Sequence, residues 1–147
     1  TALRLPQLRE SMANLVEGGG RGPTLRVMSF GYRNGLPPEA DLLIDLRWLR
    51  NPYYDPALRE QTGMDAGVAA YVAADPDFPV FFSDLQQLLT LIVRRQADEG
   101  RAYFTIAMGC TGGRHRSVFM AERLGQWLAE TGHSAKVVHR DTSIANT

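Results

Sequence analysis

The residues with the greatest chemical capacity sit in one run, Met108-Gly-Cys-Thr-Gly-Gly-Arg-His-Arg-Ser117, which holds the single cysteine, Cys110. Ahead of it, residues 102–107 are apolar and β-branched, the composition of a buried strand. Behind it, Val118, Met120, Ala121, Leu124, Trp127 and Leu128 recur at helical spacing. A glycine turn between strand and helix suits an anion, because the first amides of a helix lack intrahelical partners and the macrodipole adds positive charge there. Gly112 and Gly113 allow close backbone approach. Thr111 and Ser117 bring hydroxyls, and Arg114, His115 and Arg116 bring further donors, two of them permanently charged. The pattern predicts an oxyanion or phosphate cradle over 109–117. It also predicts that Arg116→Ala removes phosphate binding without unfolding the chain.

A second chemistry fits the same run. Cys110 and Arg116 have the Cys-x5-Arg spacing of cysteine phosphatases, with Ser117 following. A thiolate at a helix N-terminus has a lowered pKa and attacks phosphorus, while arginine clamps the equatorial oxygens. Asp45 and Asp141 are the candidate proton donors for that alternative, and Gly109 stands where such loops usually carry histidine.

The elements that must position this loop are legible in outline. Leu25 to Phe30, Asp41 to Leu46 and Ser134 to Val138 read as strands beside 102–107. Helical pieces are predicted over 56–60 and 65–74, and a longer helix from Val80 to about Ala97. In that helix Phe81, Leu85, Leu88, Leu89, Ile92 and Val93 form an apolar stripe. The helix after the cradle is expected from about Arg114 to Glu130. Strands alternating with helices predict an α/β fold with a mainly parallel sheet flanked by helices. Ligands of such sheets bind beyond the carboxyl ends of the strands. Gly31, Tyr32 and Arg33 after the first strand are therefore expected to face the same crevice. Arg47 and Arg50 after the second either reach a phosphate there or pair with Asp45 or Asp41, and Asn51 and Tyr53 in the turn that follows complete the candidate ligand-binding set.

Residues 4–17 read as a short amphipathic helix, closed by Gly18-Gly-Gly20 and Gly22-Pro23. The organisation expected is a helix and glycine-rich linker over 1–23, an α/β domain over 24–141, and a polar tail over 142–147. The 147 residues suffice for one domain with a real core. One cysteine excludes an internal disulfide framework and a cysteine-rich zinc site, and fits a cytoplasmic setting. No apolar run approaches the length of a membrane span. The formal net charge is zero, and every cation except Lys136 is arginine. Lys136 follows Ala135 rather than glycine, so the chain has no Walker A loop.

Several segments together resemble the carboxy-terminal domain of RapZ/YvcJ proteins. They are Ser29-Phe-Gly-Tyr32 with Gly35-Leu-Pro37, Asp45-Leu-Arg47 with Asn51-Pro52, Leu58-Arg59 with Thr62-Gly63, the 109–117 loop, and His139-Arg140. The likeness runs from about Leu25 to Asp141. It implies a fold similar to a phosphofructokinase subdomain, and a non-catalytic regulatory domain whose P-loop ATPase or GTPase domain lies elsewhere. The enterobacterial branch of that family binds small regulatory RNA and glucosamine 6-phosphate and serves as an adapter for an endoribonuclease. The partners implied are therefore an amino-sugar phosphate, a small RNA, a ribonuclease or two-component-type protein, and further copies of the chain. No cofactor is implied beyond a phosphate or sugar-phosphate ligand, and no metal.

Carried over by residue, the implied ligand pocket holds Cys110, Thr111, Gly112, Gly113, His115 and Arg116. The implied RNA contacts are Arg114, Arg116, His139 and Arg140. Two positions depart from the family pattern. The residue after Asn51-Pro52, often histidine in relatives, is Tyr53, which presents a phenol in place of an imidazole. The tail after His139-Arg140 lacks the lysines and arginines of RNA-binding relatives, and phosphate contacts supply most non-specific nucleic-acid affinity.

Overall fold

The computed structural model describes residues 22–142. The helix expected over 4–17 and the tail from residue 143 lie outside the described residues. Four strands form the sheet: β1 (Thr24–Gly31), β2 (Leu42–Asp45), β3 (Tyr103–Cys110) and β4 (Ala135–His139). Among the described residues, the helices that accompany them are α1 (Ala66–Ala73), α2 (Phe78–Asp98) and α3 (Arg116–Glu130). The sheet order is β2-β3-β1-β4, and every pairing is parallel. The expected α/β architecture is what the chain adopts.

Handedness explains how this order is wired. From β2 to β3, and from β3 to β4, the chain steps the same way across the sheet, through helices. From β1 to β2 it steps the opposite way, so a right-handed crossover must use the other face. That connection is short and carries only a 3-10 turn, Tyr32–Asn34. The helices share the first face. Leu25, Val27, Phe104, Ile106 and Met108 point there and form one cluster with Val68 and Val72 of α1, Leu85 and Leu89 of α2, and Leu124 and Leu128 of α3. Each such leucine contributes about 1.5–3 kcal/mol on full burial. Toward the other face, Arg26, Leu43, Tyr103 and Lys136 are exposed.

Three expectations shift in detail. Residues 56–60 form successive turns rather than a helix. The Asp55 carboxylate accepts the Ala57 amide at 3.0 Å, and the Asp55 carbonyl accepts the amides of Leu58 at 2.9 Å and Arg59 at 3.0 Å. A side chain that bonds its own downstream amide competes with helix propagation. The central strand also runs further than its apolar stretch, through Gly109 to Cys110, and α3 begins at Arg116 rather than Arg114.

Candidate anion-binding site

All four strand carboxyl ends, Gly31, Asp45, Cys110 and His139, lie on one edge. The chain leaves β1 and its neighbour β3 in opposite directions, which opens a crevice between them. Gly31 is in register with Cys110, and the Arg33 amide donates to the Thr111 carbonyl at 3.1 Å. The two loops approach so closely that side chains are barred. A Cβ on Gly31 would meet the Gly112 carbonyl carbon at 2.4 Å, and one on Gly113 would meet the Gly31 nitrogen at 2.7 Å. Gly113 also has φ +79°, the left-handed region that glycine tolerates.

A cavity of about 570 Å³ occupies this edge. Its walls come from the β1 exit (Arg33), the segment after β2 (Asn51, Tyr53, Tyr54, Arg59, Glu60) and the β3–α3 loop (Cys110, Thr111, Gly112, Arg114, His115, Arg116). Asn51 is fixed by its own turn, its Oδ1 accepting the Tyr53 amide at 3.1 Å. The Tyr53 and Tyr54 rings meet edge to face at 5.9 Å and are both exposed.

Within the loop, burial separates wall from mouth. Arg116 is only 4% exposed, and its Nη1 donates to the carbonyls of Arg47 at 2.8 Å and Leu49 at 3.1 Å. Its Nη2 reaches toward Thr111 Oγ1 at 3.5 Å, while its Nε is buried without a partner. Arg114 donates from Nε to the Gln61 carbonyl at 2.9 Å and from Nη2 to the Glu60 carbonyl. His115 stands at the N-cap position of α3 without a side-chain cap bond, and its Nε2 donates instead to the Arg59 carbonyl at 3.1 Å. Burial lowers the His115 pKa, outweighing the Arg59 carbonyl bond that favours the charged ring, and the neighbouring Arg114 cation pushes the same way as burial. The imidazole is neutral at pH 7. These three consecutive side chains pin residues 47–61 onto the start of α3. Gly63 completes the seam, donating its amide to the Arg114 carbonyl at 2.9 Å.

Cys110 is buried, with its thiol 3.1 Å from Ser117 Oγ and the Ser117 amide donating to Sγ at 3.4 Å. Both acids considered for phosphatase chemistry are engaged. Asp45 receives Arg47 through Nε at 2.9 Å and Nη2 at 2.7 Å, and these bonds hold its carboxyl below the usual range. Asp141 is 1% exposed and accepts the Gly31 amide and the Arg140 guanidinium. Neither carboxyl stands free beside Cys110.

Of the residues singled out in the sequence, Asn51, Tyr53, Cys110, Thr111, Gly112, Arg114, His115 and Arg116 come together around the cavity. Gly31 packs against Gly112 and Gly113 behind this wall, and the buried Ser117 bonds Cys110. Tyr32 turns its ring against Gly109 and Phe30, and Arg47 stacks over that ring at 3.8 Å. His139 lies apart, its Nε2 donating to Glu122 at 2.6 Å and its Nδ1 lying 2.8 Å from Ser29 Oγ. Arg140 binds Asp141 and the Gly35 carbonyl at 2.6 Å. Arg59, Glu60 and Tyr54 line the cavity without having been singled out as site residues. They follow a strand by many positions, and only the turns after Asp55 bring them back to it. Among the described residues, no group of histidine, cysteine and acidic side chains is placed to hold a metal, and no helix is long and apolar enough to cross a membrane.

Comparison with known proteins gives this site its context. The family model described as the RapZ C-terminal domain matches residues 23–143. A nucleotide-binding protein of Rhodospirillum rubrum is 62% identical over 115 residues, covering 78% of this chain and 36% of that protein. One from Granulibacter bethesdensis is 47% identical over 148 residues, 99% of this chain and 46% of the relative. A third, from Pseudomonas fluorescens, is 47% identical over 144 residues, 97% and 50% respectively. The chain thus spans half or less of the length of these relatives.

Proposed function

Since the chain belongs to the RapZ C-terminal domain family, we propose that it is a non-catalytic regulatory domain whose cavity senses a phosphorylated small molecule, an amino-sugar phosphate being the first ligand to try. The observation that carries this reading is the cavity's wall chemistry. Four arginines and a helix start surround a space of about 570 Å³ against a single carboxylate, Glu60. Carbonyl partners orient a guanidinium but leave its charge uncancelled, so the site retains a positive field suited to a phosphate.

Small regulatory RNA is the proposed output partner, with a ribonuclease or two-component-type protein as the client and the chain working as a homo-oligomeric adapter in the cytoplasm. Arg114 and Arg116 are turned into the protein, so a backbone-binding surface draws on exposed cations around the cavity mouth instead. Nucleotide chemistry suggested by the relatives' names is assigned to the part of those proteins that this chain does not span.

Calorimetric titration with glucosamine 6-phosphate, inorganic phosphate and a structured RNA tests the proposal. Saturable heat from the sugar phosphate is the expected result, and RNA affinity should fall steeply with salt. Absence of heat from every phosphate would remove the sensor reading; a salt-independent RNA signal would remove backbone contacts.

A further inference from the structure

Four guanidinium groups line the cavity, and the protein itself occupies three of them. Arg116 is bound to the Arg47 and Leu49 carbonyls. Arg114 is bound to the Gln61 and Glu60 carbonyls. Arg59 donates from Nε to the Tyr53 carbonyl at 2.9 Å and lies over the Tyr53 ring at 4.7 Å. Arg33 differs. Among the described residues its guanidinium has no hydrogen bond, ion pair or ring partner, although its backbone amide is fixed to the Thr111 carbonyl. The side chain extends over Gly112, where a Cβ would lie 3.5 Å from its Nη1 and 3.7 Å from its Cζ.

We infer that Arg33 is the cavity's ligand-docking cation, taking the phosphate of the bound molecule, while Arg114 and Arg116 hold the walls. This rests on the reading of the cavity as a phosphorylated-ligand site. Donor supply separates Arg33 from the other three arginines. A guanidinium carries five N–H groups in a planar fork matched to two phosphate oxygens. Arg116 spends Nη1 on the Arg47 and Leu49 carbonyls and keeps a buried, unpartnered Nε, while Arg114 spends Nε and Nη2 on the Gln61 and Glu60 carbonyls, so swinging either guanidinium onto a ligand would break a wall. Arg33 is exposed and exchanges only water for the phosphate. Its root is held in a 3-10 turn directly after β1, so its charge arrives at the strand edge with little backbone freedom to lose. Glycine at 112 leaves the face of the loop open to it. The geometry favours a terminal phosphomonoester, which offers two charges and three free oxygens to one fork, over an internal phosphodiester with one charge.

The test compares wild type, Arg33→Ala and Arg33→Lys by calorimetry with glucosamine 6-phosphate and inorganic phosphate, alongside thermal unfolding. Arg33→Ala should weaken both ligands by about tenfold or more, since a charge-assisted bond to phosphate is lost. Its unfolding midpoint should match wild type, because no protein group loses a partner. Arg33→Lys should fall between the two, retaining charge without the fork. Wild-type affinity in Arg33→Ala overturns the inference and leaves the sensor reading standing. If wild type itself binds no phosphate, the sensor reading fails and takes this inference with it.

Discussion

The Asp141 carboxylate accepts the backbone amide of Gly31 at 2.7 Å, tying the residue that ends β1 to the residues that follow β4. The two are 110 positions apart in the chain. Gly31 in turn sits against Gly112 and Gly113, so one buried carboxylate braces that wall of the cavity from behind. Arg140 supplies the countercharge, with Nε at 2.9 Å and Nη2 at 2.8 Å.

Asp141→Asn should destabilise the fold by about 1–3 kcal/mol, the range for losing charge-assisted hydrogen bonds at a buried site. Denaturant unfolding at pH 7 measures it. The pH dependence has a defined sign. Burial pushes the carboxyl up, but the Arg140 bonds and the Gly31 amide more than offset it and hold the pKa below the usual value. The stabilisation is complete above the unfolded value of about 3.9 and is lost as pH falls through the lower native one. The acid limb of the stability profile should therefore flatten in Asp141→Asn.

His115 contributes on the same side of the profile, at higher pH. Its native pKa lies below the unfolded value of about 6.5, so below that pH the unfolded chain binds the extra proton. Stability should fall as pH drops below about 6.5, and His115→Gln should remove that slope while leaving the one near pH 4. An unchanged slope in this variant would mean that the ring is not buried as described.

Adjacent glycines in the loop should respond in opposite ways to alanine. Gly113→Ala places a Cβ 2.7 Å from the Gly31 nitrogen at φ +79°, and should cost several kcal/mol or prevent folding. Gly112→Ala meets nothing closer than the Arg33 guanidinium at 3.5 Å, which is ordinary contact. It should fold normally, and thermal unfolding of the pair checks the contrast.

Arg116→Ala should lower stability by about 1–3 kcal/mol, because the Arg47 and Leu49 carbonyls lose the donor supplied by a 4% exposed side chain. The expectation from sequence was a clean loss of binding without unfolding. At 4% exposure Arg116 is part of the wall. A midpoint equal to wild type would return it to the ligand.

The sequence by itself determined the strand–glycine–helix unit and the fold class, because apolar periodicity and the spacing of glycines are local properties of the chain; the family entered separately, as a resemblance carried by its combined motifs. It also placed Asn51, Tyr53 and most of the 109–117 loop at one site. It could not assign those residues their roles. Whether an arginine faces ligand or carbonyl depends on which segments close over it. Arg114, Arg116 and His115 are capped by residues 47–61; local bonds form those turns, but only the tertiary fold decides which loop they close over. His139 met Glu122 and Ser29 rather than solvent for the same reason: α3 crosses beside β4, which no local pattern encodes. Composition told which groups carry charge, and packing decided which of those charges the protein keeps for itself.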